Sequence, residues 1–125
     1  MRSVVIILAA FVGCALLLAP APARAQDGQA AFNNHCRQCH SARAGDNRLG
    51  PSLYGVVGRK SGSLPNYGFS DSMKSAGIVW DKDNLDKFIA DPDQVVQGNS
   101  MKPFGGITSA DERVKIISYL ASIGK

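Results

Sequence analysis

The chain is poor in the residues that most catalytic and nucleic-acid-binding folds depend on. Histidine occurs twice in 125 residues, tryptophan once and cysteine three times, and aromatics make up 7%. Both histidines, His35 and His40, fall in one short segment, so none remains elsewhere to assist acid–base chemistry. No basic face interleaved with aromatics is present, which argues against a nucleic-acid partner. No run alternates with period two for long enough to predict a strand. Internal repeats, low-complexity tracts and interdomain linkers are also missing. Only one long apolar run occurs, and it lies at the start of the chain.

That run, Val4 to Ala19, follows the positive Arg2 and precedes a Pro/Ala break and the small-x-small site Ala23-Arg24-Ala25. The order of charge, apolar core and small-residue site predicts a secretory signal peptide over residues 1–25. The run is short against the roughly 20 residues of a spanning helix, which disfavours a retained anchor. Lipid attachment at Cys14 is disfavoured as well, because cleavage there would leave Ala15 to Ala19 as an apolar new terminus. Residues 26–125 are then one small domain, exported to the periplasm, with Cys36 and Cys39 as its only cysteines. Loss of Arg2 and Arg24 leaves 12 basic against 10 acidic residues, a net charge of +2. Arg37, Arg43, Arg48, Arg59 and Lys60 gather in the first half, and Asp81, Asp83, Asp86, Asp91 and Asp93 in the second. Such a dipole suits steered docking to a protein partner.

Gly28, Ala31, Phe32, His35, Cys36 and Cys39 have helical spacing, predicting a first helix from Asp27 to about Cys39. Ser41 to Tyr67 is rich in Gly, Pro, Ser and Arg without a period. A loop this long in a small domain needs something besides secondary structure to organise it. Ser70 to Ala76 forms a short helix ended by Gly77. Asp81 caps a helix carrying Leu85, Phe88 and Ile89, stopped at Pro92, and Gln94 to Gly106 is irregular. Ser109 and Glu112 read as a capping box. They open a last helix with a stripe of Val114, Ile117, Leu120 and Ala121, widened by Ile116 and Ile123. The fold class is therefore all-α, with about four helices, long loops and a thin core of its own.

Cys36-Arg37-Gln38-Cys39-His40 is C-x-x-C-H, the attachment signal for c-type haem. Two cysteines three apart on a helical turn project to one side, so both sulfurs reach neighbouring vinyl groups of one porphyrin. The adjacent His40 can then meet the iron. A redox C-x-x-C belongs to a βαβ setting, which the pattern lacks. A structural zinc site needs four surrounding ligands, and His35, Cys36, Cys39 and His40 lie on one short helix. A Cys36–Cys39 disulfide would leave the loops unorganised. A large flat apolar group held at this motif supplies what the thin core and long loop require.

The second axial ligand decides what such a haem does, because two held positions suit electron transfer and an open one suits small-molecule chemistry. His35 lies too close to His40 to serve. Met73 falls in the short helix and reads as packing. Met101 falls in the polar, Gly-flanked loop Gly98 to Gly106 and is the expected ligand.

Over nearly all of residues 27–125 the chain resembles the class I c-type cytochromes, mitochondrial and soluble bacterial. The resemblance rests on Gly28 and Phe32, the C-x-x-C-H motif, Gly50-Pro51-Ser52-Leu53 and Gly55 to Arg59. It continues through Tyr67, Gly77 to Trp80, Phe88 to Pro92, Gly98 to Met101 and Arg113 to Leu120. It implies a small cytochrome c fold wrapped round one covalent haem, with Gly28 and Phe32 crossing the last helix near Tyr119. It also implies that the Pro51 carbonyl orients His40 and that Arg59 and Trp80 reach a haem propionate. Phe69 stands where the family often has a propionate-bonding tyrosine, with Ser70 beside it as substitute. Phe88 replaces another tyrosine, and His35, Asp93 and Ser100 replace lysines of the haem edge. One residue is missing between His40 and Gly50, and one is extra between Met101 and Phe104. The implied protein is a monomeric periplasmic one-electron carrier between redox proteins, not an enzyme, and without stable membrane insertion once its signal is removed.

Overall fold

The computed structural model describes residue 19 and residues 23–124. The positive start of the predicted leader and its apolar run up to residue 18 lie outside the described residues. Among the described residues five helices follow one another: α1 Ala23–His35, α2 Asp71–Ser75, α3 Lys82–Ala90, α4 Pro92–Val95 and α5 Ala110–Ser122. Among the described residues extended pairing is limited to one antiparallel bridge, Lys60 with Val79. The architecture is all-α, as the periodicity predicts.

α1 and α5 cross face to face. Gly28, Ala31 and Phe32 are the buried positions of α1, one helical stripe at i, i+3 and i+4. A side-chain carbon at Gly28 would lie 2.8 Å from the Lys115 carbonyl oxygen and 2.9 Å from Tyr119 Cβ. Hydrogen alone fits there, and the Phe32 and Tyr119 rings pack beside it at 5.3 Å. α1 ends at His35 rather than Cys39. The Cys36 and Arg37 amides both donate to the Phe32 carbonyl, and the Cys39 and His40 amides both donate to that of Cys36. This sharing closes the helix and turns residues 36–39 across its end.

In α3 the Asp81 carboxylate accepts from the Asn84 amide and the Asn84 side chain accepts from the Asp81 amide, both at 2.8 Å. This complete capping box uses Asn where the consensus has Glu or Gln. Leu85, Phe88 and Ile89 turn inward. Pro92 ends α3 and also starts α4, because a proline lacks the amide a helix interior needs but suits a first turn. The single turn of α4 runs from Pro92 into the stretch from Gln94 that the sequence reads as irregular.

α5 corrects two expectations. Ser109 accepts from the Glu112 amide at 3.3 Å, but the Glu112 carboxylate instead meets His35 Nε2 and Lys115 Nζ, each at 3.2 Å. Partners able to carry positive charge outcompete a neutral amide for a carboxylate, so half the predicted box forms. Ile116, Ile117 and Leu120 are buried, whereas Val114 is 60% exposed. The face toward α1 and α3 thus keeps Ile117 and Leu120 of the predicted stripe with Ile116 beside them, and leaves Val114 out. Arg113 ties α5 to α3, donating to Asp86 at 2.7 Å and to the Ile107 and Thr108 carbonyls.

The long segment between residues 41 and 70 is organised by polar contacts. Ser52, 1% exposed, donates to the Arg43 carbonyl. Asn47 accepts from the Ser52 amide and donates to the Pro65 and Asn66 carbonyls. The amides of Gly58 and Ser61 donate to Trp80 and Ile78 carbonyls, and Trp80 returns a bond to Arg59. This pairing brings Arg59 and Trp80 together from opposite sides of the loop.

Candidate cofactor site

A cavity of about 510 Å³ opens among these elements, within the roughly 300–1,000 Å³ of small-molecule and cofactor sites. Its interior is apolar: Leu53, Val56, Trp80, Leu85, Phe88 and Ile89 line it, with Ile116 and Leu120 of α5. Trp80 and Phe88 pack with ring centroids 5.0 Å apart. Cys36, Cys39 and His40 stand on its wall from the turn after α1, and Met101 reaches it from the loop after α4. Arg59 and Ser70 also line it.

His40 is fixed by its neighbours. Its Nδ1 donates to the Pro51 carbonyl at 2.7 Å, since a carbonyl can only accept. That bond sets the tautomer and leaves the Nε2 lone pair free. A side-chain carbon at Gly50 would overlap the imidazole, so Gly50 and Pro51 form a cradle that admits the ring only because residue 50 is glycine. Burial holds the His40 imidazole below its ordinary pKa, opposed by the Pro51 hydrogen bond. His40 is therefore a neutral nitrogen donor near pH 7.

The two cysteines are free of any disulfide. Burial first, and Cys39 second, pushes the Cys36 thiol up to about 12. A thiol held that high is not the thiolate a redox C-x-x-C needs. Among the described residues, no three His, Cys, Asp or Glu side chains gather as a metal cluster, so a zinc reading also fails. A flat apolar group with a metal at its centre fits this donor set: two sulfurs on one turn, one oriented imidazole and an apolar cavity.

Arg59 is half-buried, and its guanidinium donates to the Ser52 carbonyl at 2.9 Å and to that of Tyr54. Burial lowers its pKa, but an arginine stays charged. It sets one fixed positive charge at the cavity wall. Ser70 has a second duty. Its oxygen accepts from the Met73 amide at 3.1 Å as the cap of α2 and shares a hydrogen bond with Ser72. Met73 lines the cavity as well, so wall position alone does not separate it from Met101.

Sequence reading assigned no role to three site-shaping residues, Tyr67 and Asn99 entering only within the resemblance. Tyr67 donates to the Leu49 carbonyl at 2.7 Å and meets Phe69 edge-on at 4.7 Å. Asn47 staples the loop, and Asn99 accepts from the Met101 amide at 2.9 Å. Polar residues in aperiodic loops carry no local signal for such bonds. The only hint was that Asn47 and Asn99 each sit near a glycine.

The fold and site define a small all-α protein built round one cofactor attached at a C-x-x-C-H turn. Comparison with known proteins agrees. The cytochrome c family model matches residues 25–124, and the chain belongs to that family. It is 41% identical over 99 residues to cytochrome c of Euglena viridis, covering 79% of this chain and 96% of that one. It is 44% identical over 88 residues to cytochrome c2 iso-2 of Magnetospirillum fulvum, covering 70% and 91%. The solved structure of cytochrome cH from Methylobacterium extorquens superposes with a TM-score of 0.70 at 40% identity, covering 78% of this chain and 96% of that one. The chain is an electron carrier acting with redox partners, and its cofactor is haem c, bound covalently at Cys36 and Cys39.

Proposed function

We propose that this chain is a soluble, monomeric periplasmic one-electron carrier whose haem iron takes His40 and Met101 as axial ligands. Residues 1–25 serve as a leader removed on export, and residues 26–125 are the working domain. The observation that carries the ligation is that an imidazole with a free Nε2 and a thioether line one apolar cavity beside the two haem-bearing cysteines. Among the described residues no helix is long and apolar enough to cross a membrane, which is compatible with a freely diffusing domain.

Bound haem supplies the one-electron chemistry, and the chain's residues supply position and charge. Pro51 holds the His40 ring by its Nδ1 proton, and Gly50, lacking a side chain, leaves the space the ring occupies. Met101, in a loop without strong secondary structure, offers a sulfur that favours the ferrous state. Arg59 would present a positive charge to the propionates, and Trp80 and Ser70, which also line the cavity, would supply further donors. The apolar walls exclude water, which keeps the charge change from reorganising solvent.

Carbon monoxide added to the dithionite-reduced holoprotein tests the ligation. A sharp low-spin ferrous spectrum, unchanged by the gas, is expected; Met101→Ala should bind it at once and show a lowered potential. Rapid binding by the native protein would move a gas-binding or enzymatic role to the front, and an unaltered potential in Met101→Ala would redirect the search to Met73. Sequencing the mature N-terminus from a periplasmic fraction tests the leader, with Gln26 expected first. A membrane-bound chain beginning at Met1 would overturn it.

A further inference from the structure

Asn99 and Lys102, on either side of Met101 in the chain, are both tied through their side chains to one carboxylate. Asp93, on α4, accepts from Lys102 Nζ with both oxygens, each at 2.6 Å. Its Oδ1 also accepts from Asn99 Nδ2 at 2.8 Å. Asn99 is 5% exposed and spends its whole amide here. It donates additionally to the Val96 carbonyl at 2.9 Å and accepts from the Met101 amide at 2.9 Å. Val96 itself is buried and hydrogen-bonded back to Pro92. The Met101 backbone is thus held on one side through Asn99 to the end of α4, and on the other through Lys102 to the same aspartate. Asp93, and the extra residue between Met101 and Phe104, are both departures from the resemblance noted in the sequence. They meet in this one cluster.

We propose that Asp93 is a positioning residue, and with Asn99 and Lys102 forms a surface latch that keeps the Met101 loop closed against the cavity. The inference rests on Met101 as axial ligand and concerns how firmly that ligand is held. A carboxylate pinning both ends of the stretch from Asn99 to Lys102 removes the freedom the loop needs to swing outward. Its strength has a bound: an exposed ion pair is worth little in water and is screened by salt. Opening should therefore become more frequent by roughly two- to fivefold when the pair is removed, and should not become complete.

The test is imidazole binding to the ferric holoprotein at about pH 8, where free imidazole is mostly uncharged. The sulfur-to-iron charge-transfer band is followed in parallel. Asp93→Asn keeps shape and an acceptor for Asn99 while removing the charge. Lys102→Met keeps the stem on an exposed side chain and leaves α4 untouched, so it reads the latch even if Asp93→Asn misfolds. Each is expected to bind imidazole about two- to fivefold more tightly, and the double variant no more tightly than the stronger single one. Added salt should tighten binding to the native protein but not to either variant. If Met101→Ala binds imidazole freely while Asp93→Asn and Lys102→Met behave as native, the ligation stands and the latch is wrong. Single-variant effects that multiply in the double variant would also overturn it, because the two residues would then act separately. Absence of the sulfur band from the native protein sinks the ligation and the latch together.

Discussion

Replacing Gly28 with alanine sets a gain in helix propensity against a steric conflict. Gly28 lies inside α1, and there alanine is favoured over glycine by about 1 kcal/mol. Its new methyl would meet the Lys115 carbonyl at 2.8 Å and Tyr119 Cβ at 2.9 Å, against an ordinary contact of about 3.5–4 Å. Both obstacles belong to α5 backbone or to the carbon next to it, so no rotamer change relieves them and the helices must separate. Overpacking of this kind costs about 1–3 kcal/mol, and the rigidity of both partners puts the cost at the upper end. The net loss is then about 2 kcal/mol after the propensity gain is subtracted. For a domain of about 100 residues that lowers Tm by roughly 8–16 °C. Urea and thermal unfolding of the holoprotein, followed by the Soret band and far-ultraviolet circular dichroism, would measure it. Ala30→Gly, at an exposed position two residues along, isolates the propensity contribution in the same helix and should cost about 1 kcal/mol. A Gly28→Ala protein as stable as the native one, alongside the expected Ala30→Gly loss, would refute the close crossing of α1 and α5.

Gly50→Ala should displace the His40 ring, destabilising by about 1–3 kcal/mol; loss of the sharp low-spin spectrum checks it. Arg59→Met leaves the Ser52 and Tyr54 carbonyls without their charged donor and should cost about 1–3 kcal/mol, read as a lower urea midpoint. Asp93 is held below the ordinary carboxylate pKa, first by the Lys102 hydrogen bond, and Asp46 likewise, first by that of Ser41. An acid depressed on folding lends stability above its unfolded value, about 3.9, and loses it as pH falls through the folded value. The stability gap between the native protein and Asp93→Asn/Asp46→Asn should thus hold steady above about pH 5 and shrink below about pH 4. Urea midpoints measured across that range check the sign, and a gap that widens in acid would contradict it.

What was legible in the sequence was local. Cys36, Cys39 and His40 form one turn whose chemistry depends on covalent spacing, and the Gly28–Ala31–Phe32 stripe needs only the helical repeat. Ser109 and Asp81 announce the starts of α5 and α3 because a cap bonds within its own first turn. What escaped was decided at a distance. Glu112 abandons half its capping box because His35, 77 residues earlier in the chain, lies within reach. Val114 is exposed because the buried face of α5 is centred on Ile116, Ile117 and Leu120, which leaves Val114 to one side. α1 stops at His35 because two amides share the Phe32 carbonyl, a competition that residue identities do not display. Asn99 and Asp93 each look like ordinary loop polarity until the fold sets Lys102 beside them.

The partner chosen for His40 has a consequence for how charge moves. A ring proton facing a carboxylate or a water chain could leave when the electron count changes. The Nδ1 proton of His40 faces the peptide oxygen of Pro51, a group with no basicity in the physiological range. On that side of the site, electron transfer has no proton to carry with it. The driving force offered to a redox partner is then set by the site itself and does not drift through this histidine with the acidity of the surrounding compartment.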